Sequence, residues 1–221
     1  MTLEEIKKEM HQNPYPPNQL FDLETIENLP NINKRMNTIA QIFPDLCISD
    51  KFDALLDVGC NKGLFSFSFR KAFEEIIGID PLAKMIDIAQ KIRTAYDWQH
   101  ISFFNQTFES FKCDDKFDVV HFGQCAHYIF RDAARKNMHP LSFLEKAKHL
   151  TKKFILIDGA FDGDPSVEFD AKQDRWPKVV KEMATIEGYA KALRPQFKLI
   201  KYGWSGDGAT RYLAVFEKLI L

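Results

Sequence analysis

The 221-residue sequence has almost no excess of one charge: Lys and Arg total 30 against 31 Asp and Glu, and the isoelectric point lies near 6.6. Without a field of one sign to hold a phosphate polymer or an anionic membrane, neither nucleic acid nor a membrane surface is expected as a partner. Cysteine is scarce. Cys47, Cys60, Cys113 and Cys125 form no C-x-x-C pair, and the six histidines have no spacing suited to zinc, so no metal site is expected. Reduced thiols point to an intracellular, cytoplasmic setting. The opening MTLEEIKKEM mixes charges and has no apolar core of a signal peptide, and no apolar run approaches the length that crosses a bilayer. The length suits one substantial α/β domain with an appendage.

Residues 2–11 have the pattern of a short amphipathic helix, and NPYPPNQLFD after it is too rich in proline to be regular. A second helix is expected over 33–43, where Met36, Ile39, Ala40 and Phe43 share one face. Residues 1–51 are therefore expected to form a helical cap or lid, and residues 52–221 the main domain. From Phe52 onward short apolar runs alternate with amphipathic segments. ALLDV (54–58), EIIGI (75–79), ISFFN (101–105), FDVVHF (117–122) and FILID (154–158) are candidate strands, and LAKMIDIAQKI (82–92) is a helix between two of them. Such alternation predicts a parallel sheet built by right-handed crossovers. LFSFSFRKAF (64–73) fits either period and is assigned as helix, because so short a connection after a strand must contain the crossover helix. Residues 174–192 are expected to be helical. The runs 197–204 and 210–219, joined by SGDGA, predict a closing hairpin.

The segment LLDVGCNKGLFS (55–66) places a glycine turn between the first strand and the first helix, the position where doubly wound sheets bind ligands. A dinucleotide fingerprint, G-x-G-x-x-G, needs its middle glycine so that backbone can approach a pyrophosphate. Asn61 stands there instead, and position 64 is not glycine, so a pyrophosphate is disfavoured. Asparagine accepts positive φ, which preserves the turn. The second strand ends in Gly78-Ile79-Asp80-Pro81, which places a carboxylate where a ribose would meet it. Asp80 is also a candidate N-cap, with Pro81 suited to the first helical position. Ribose recognition without a phosphate cradle points to a nucleoside-type cofactor.

Asp57-x-Gly59-x-Asn61-x-Gly63, Asp80, the FDVV run at 117–120 and the closing hairpin resemble the class I S-adenosylmethionine-dependent methyltransferases over roughly Phe52 to Lys218. The resemblance implies a three-layer Rossmann-like fold, a seven-stranded sheet in the order 3-2-1-4-5-7-6 with one antiparallel strand, and S-adenosyl-L-methionine as cofactor. It places Asp57 near the methionine ammonium, turns the backbone of Gly59, Cys60, Asn61 and Gly63 toward the cofactor, and assigns both ribose hydroxyls to Asp80, beside Pro81. Met85 and Phe108 are implied as apolar contacts to the adenine, although both also suit a simple core. Asn105-Gln106-Thr107 departs from the family, where many members carry Asp to hold the adenine amino group. Gln106 can present its carbonyl oxygen instead.

The fourth strand ends in HFGQCAHYIF (121–130), which in this family faces the methyl group and brings Gly123 and Gln124 to the cofactor. His127 is the candidate general base, with Gln124 and Tyr128 shaping the pocket; a purely structural histidine is the alternative. The segment lacks the Asn/Asp-Pro-Pro-Tyr/Phe of enzymes that methylate base or amide nitrogens, and is more similar to O-methyltransferases of small molecules and glycans. A narrower resemblance, carried by GCNKGLFSFSF, INKRMNTI, HYIF, FILIDGAF and ATRYLAVFEK, is to the methyltransferase domain of bacterial enzymes that methylate a terminal phosphate of O-antigen chains. It implies Arg35, Arg175, Arg194 and Arg211 as a phosphate clamp, although solvated surface arginines would have the same pattern. The expected activity is methyl transfer to an oxygen, hydroxyl or phosphate, of a small molecule or saccharide, with the proline-rich lid and residues 159–175 setting acceptor choice. A nicotinamide-dependent oxidoreductase and a non-catalytic cofactor-binding protein are the rival readings.

Overall fold

The short apolar runs become strands because neighbouring strands take up their backbone hydrogen bonds and the sheet buries most of their apolar side chains. The computed structural model describes residues 2–12, 21–31, 33–126, 128–129, 136, 142–161, 185–204 and 211–220. Its strands are β1 (Phe52–Val58), β2 (Phe73–Asp80), β3 (Ile101–Asn105), β4 (Phe117–Gly123), β5 (Thr151–Phe161), β6 (Phe197–Trp204) and β7 (Arg211–Lys218). Their order is β3-β2-β1-β4-β5-β7-β6, as the resemblance implies. β7 pairs antiparallel with both β5 and β6, and β1–β2, β2–β3 and β4–β5 are parallel. The chain divides into two compact units, residues 1–112 and 113–221.

In the first unit α1 (Leu3–Gln12) and α2 (Lys34–Ile42) precede the sheet, and α3 (Leu64–Ser68) and α4 (Ala83–Ala95) alternate with strands. Asn33 starts α2 by accepting the Met36 amide at 3.1 Å. The face of α4 formed by Met85, Ile86, Ile88, Ala89 and Ile92 is buried, as its spacing requires. The helix assigned to 64–73 is shorter than expected. α3 ends at Ser68, a 3₁₀ turn covers Arg70–Ala72, and Phe73 joins β2 opposite Phe52 with their rings stacked at 5.3 Å. Phe67 is the hub of this region, with Trp98 at 5.1 Å, Phe103 at 5.4 Å and Phe21 at 6.0 Å between ring centroids.

α1 is fastened by charge as well as by buried Ile6 and Met10: Glu9 pairs with Lys84 and, at 2.8 Å, with Lys91 on α4. Hydrogen bonds from these two lysines hold the Glu9 carboxyl below its ordinary value of 4.5. A lowered carboxyl contributes stability that is complete above that ordinary value and is lost as pH falls through the folded value. Solvent screens the pair, so the contribution is about 1 kcal/mol. The protection of the α1 amides, their exchange rate relative to that of an unstructured chain at the same pH, is expected to fall on acidification from neutrality to below 4.5, and the Glu9→Gln variant to show the weaker protection at both ends of that range.

In the second unit α5 (Ser142–Leu150) leads directly into β5, and α6 (Ile186–Leu193) precedes β6. Thr185 caps α6 by accepting the Gly188 amide at 3.0 Å. Six of the seven residues of β4 are buried, which is why its sequence shows no alternation. The hairpin strands stand where expected. Residues 13–20, most of 159–175, the part of 174–192 before 185, and SGDGA lie outside the described residues.

Candidate cofactor site

β1 and β2 run parallel with Asp57 opposite Gly78 and Val58 opposite Ile79, so the turn that follows β1 meets Asp80 at the end of β2. The turn needs three residues at positive φ, supplied by Gly59 (71°), Asn61 (51°) and Gly63 (86°). All five of its amides have partners inside the protein. Gly59 and Cys60 donate to the Ile79 carbonyl at 2.9 and 3.1 Å, and Gly63 donates to the Cys60 carbonyl at 2.8 Å. Asn61 donates to Asp80 Oδ2 at 3.1 Å, and Lys62 donates to the side-chain Oδ1 of Asn61 at 2.9 Å. A phosphate-binding turn presents its amides to the ligand. This turn spends them on itself.

Asp80 is the second half of the site. Its Oδ1 accepts the Leu82 amide at 2.8 Å while Asn105 Nδ2 donates to its carbonyl at 3.0 Å, so the side chain ties the glycine turn to the chain entering α4. It is not the N-cap of that helix: α4 begins at Ala83 with Leu82 at the cap, and Pro81 precedes both. Burial pushes the Asp80 carboxyl above the usual carboxylate range, the charge of Asp57 adds to this, and the two backbone amides oppose it. Each carboxylate oxygen accepts one amide here, and a carboxylate has about four lone-pair directions, so acceptor capacity for two hydroxyls remains. Asp57 is fully buried and accepts the Ser66 hydroxyl at 2.6 Å.

The other expected contacts take several positions. Met85 and Phe108 are buried, whereas Pro81, Gln106 and Thr107 are exposed. Thr107 Oγ1 accepts the Ser110 amide at 3.2 Å, which shapes the chain after β3. In the second unit Gly123 pairs with Asp158, and Gln124, at φ 54°, donates its amide to the Asp158 carbonyl at 2.9 Å. Tyr128 is exposed, and Arg35 is buried on α2. Arg194 is exposed at the end of α6, and Arg211 opens β7 with its side chain outside the described residues. His127 and Arg175 also lie outside them.

Two residues of the turn region were not singled out by the sequence. Ser66 serves Asp57 from one helical turn into α3, a relation visible only once the strand and helix are folded against each other. Lys62 is fully buried beside Asn61, and that burial lowers its pKa. A lysine in a glycine turn reads as a surface charge until the fold covers it.

Comparison with known proteins agrees with this geometry. Residues 55–142, which contain the turn, Asp80 and β4, match the model of a family described as a methyltransferase domain. Over those residues the chain is similar to a methyltransferase domain. A curated relative, the uncharacterized methyltransferase YcgJ of Bacillus subtilis, is 27% identical over 115 residues, 52% of this chain and 44% of that protein. The chain thus spans less than half of that relative's length. Among solved structures, the N-methyltransferase NodS of Bradyrhizobium japonicum with S-adenosyl-L-homocysteine superposes with a TM-score of 0.64 at 13% identity, covering 97% of each chain. Magnesium protoporphyrin IX methyltransferase of Synechocystis, with S-adenosylmethionine bound, gives 0.61 at 12% identity over 90% of this chain and 86% of its own. The chain therefore shares its fold with methyltransferases that differ widely from it in sequence.

Proposed function

We propose that the protein transfers a methyl group from S-adenosyl-L-methionine to an oxygen, hydroxyl or phosphate, of a small molecule or glycan, in the cytoplasm. The observation that carries the cofactor choice is the closed set of amides from Gly59 to Gly63 beside the buried Asp80 carboxylate. Such a site suits a ribose but offers a diphosphate no donors from that turn, which disfavours a nicotinamide dinucleotide. S-adenosylmethionine fits because it is a nucleoside with no phosphate. Its chemistry, when bound, is a methyl group activated by the attached sulfonium.

The residues divide the remaining work. Asp80 binds the ribose hydroxyls, and the rigid turn orients the rest of the ligand through shape. Asp57, held by Ser66, supplies negative potential for the ammonium end. Met85 and Phe108 line the adenine side with apolar surface, and Gln106 supplies an acceptor for the adenine amino group. Gln124 and Tyr128 shape the acceptor pocket, residues 1–51 serve as a cap or lid, and Arg35, Arg175 and Arg211 hold the acceptor's anionic groups. His127 takes the proton from a hydroxyl acceptor; a phosphate acceptor is already an anion and needs no base.

The acceptor atom is oxygen in this reading because the segment at the end of β4, Gly123-Gln124-Cys125-Ala126, lacks the Asn/Asp-Pro-Pro-Tyr/Phe of enzymes that methylate base or amide nitrogens and is more similar to O-methyltransferases of small molecules and glycans. Incubation with methyl-labelled S-adenosylmethionine and metabolite extracts, followed by mass spectrometry, tests this: labelled methyl ethers or esters support it, and label confined to amines contradicts it. His127→Ala is expected to lower kcat about a hundredfold or more on a hydroxyl acceptor while leaving cofactor affinity unchanged. Unchanged turnover would leave alignment alone as the catalytic device.

A further inference from the structure

The second unit has a feature at the opposite end of its strands from Gly123 and Asp158 that methyl transfer does not use. Lys116 precedes β4, Lys148 and His149 end α5, Gln196 precedes β6, and Lys218 ends β7; together they line an open concavity of about 510 Å³. β4 has seven residues, so at about 3.3 Å per residue this concavity is roughly 20 Å from the carboxyl end of the strand.

Three lysines line this space, and the carboxylate among its lining residues is Glu145, paired with Lys148 at 2.6 Å. Lys148 is buried at 8% exposure and lies 3.5 Å from the Ala192 carbonyl. Lys218 donates to the Thr151 carbonyl at 2.6 Å and stands over the Phe197 ring at 5.7 Å. These bonds fix two ammonium groups at the wall with further N–H donors on each. Lys116 is different: it is exposed, and closing off a carbonyl does not account for it. Burial, together with the charge of Lys116, holds the Lys218 ammonium below the ordinary lysine value. The like charges therefore disfavour one another as they stand, and a bound anion would reverse the sign of that interaction.

We propose that this lysine-lined concavity binds the phosphate group of a small phosphorylated ligand, at a site separate from the methyl-transfer centre. A phosphate is favoured over a carboxylate because its two negative charges and its oxygens match several convergent ammonium groups, whereas a monocarboxylate leaves the surplus charge unneutralised. The near-neutral charge of the whole chain argues for a compact ligand and against a nucleic acid backbone.

Isothermal titration of the full chain at low ionic strength with sodium phosphate, sodium pyrophosphate and glucose 1-phosphate tests the proposal and separates inorganic phosphate from a phosphate ester. Saturable binding of at least one at millimolar concentration or below is expected. Lys116→Gln, a change at an exposed side chain, is expected to weaken it about tenfold, as loss of one charged contact does. Lys218→Met is expected to do the same, and Lys8→Gln on α1 to leave it unchanged. In the absence of phosphate Lys116→Gln is expected to raise the melting temperature slightly by relieving Lys218. Failure of all three ligands to bind saturably would overturn the proposal, as would equal weakening by Lys8→Gln, the mark of diffuse charge attraction. Neither outcome bears on S-adenosylmethionine binding.

Discussion

Asp80→Ala is expected to weaken S-adenosyl-L-homocysteine binding by at least a hundredfold in calorimetric titration. The carboxylate is proposed to accept both ribose hydroxyls, and a hydrogen bond to a charged group contributes about 1.5–3 kcal/mol. Two such bonds exceed a factor of a hundred before any loosening of the turn, which loses the acceptor for its Asn61 and Leu82 amides. Asp80→Asn separates the two effects, because it keeps the shape and removes the charge. The raised carboxyl of Asp80 gives this variant a pH signature. A group that holds its proton more tightly when folded contributes stability below its ordinary value, and that contribution is lost as pH rises through the folded value. Relative to the native protein, the Asn variant is therefore expected to gain stability between about pH 4 and neutrality, measured by urea unfolding, while binding the ligand weakly throughout. Native affinity in Asp80→Ala would show that the ribose lies elsewhere.

Gly63→Ala is expected to destabilise the first unit strongly. A Cβ at this position would lie 2.7 Å from Phe67 Cε2 and 2.9 Å from Phe103 Cζ, with φ at +86°, where side chains are strained. The left-handed conformation costs about 1–2 kcal/mol and overpacking about 1–3 kcal/mol. For a chain of this size the sum of about 3 kcal/mol lowers the melting temperature by roughly 10 °C. The two rings cannot both retreat, because Phe103 also packs where a Cβ on Gly78 would stand, 2.5 Å from its Cδ1. A melting temperature within two or three degrees of native, on the order of a 1 kcal/mol change, would mean that the turn is softer than its bonds suggest.

Much of the sheet was legible because its strands are short, apolar and separated by helices with a clear face. β3 begins and ends where ISFFN does, and β6 coincides with FKLIKYGW. The end of α3 was not legible. Phe65, Phe69 and Phe73 continue a helical stripe on paper, but Phe73 gains more by stacking on Phe52 across β1 and β2, a partner twenty-one residues away. α5 was less legible: Phe143, Leu144 and Ala147 make a buried face, but the helix is nine residues long and runs straight into β5, so its pattern merges with that of the strand.

In the site, the residue types were legible and their bonding was not. The sequence says that Asn61 can hold a left-handed turn. Only the fold places its side-chain oxygen on the Lys62 amide and its own amide on Asp80, which closes the turn to phosphate. Lys116, Lys148 and Lys218 are likewise scattered along the sequence and become neighbours only because three strand ends and the end of α5 meet.

The most direct measurement is a calorimetric titration of the purified protein with S-adenosyl-L-homocysteine and, separately, with NAD. Saturable micromolar binding of the first and no binding of the second is the expected result, since the turn can seat a nucleoside and has no amides to give a diphosphate. Saturable binding of NAD without binding of S-adenosyl-L-homocysteine would contradict it.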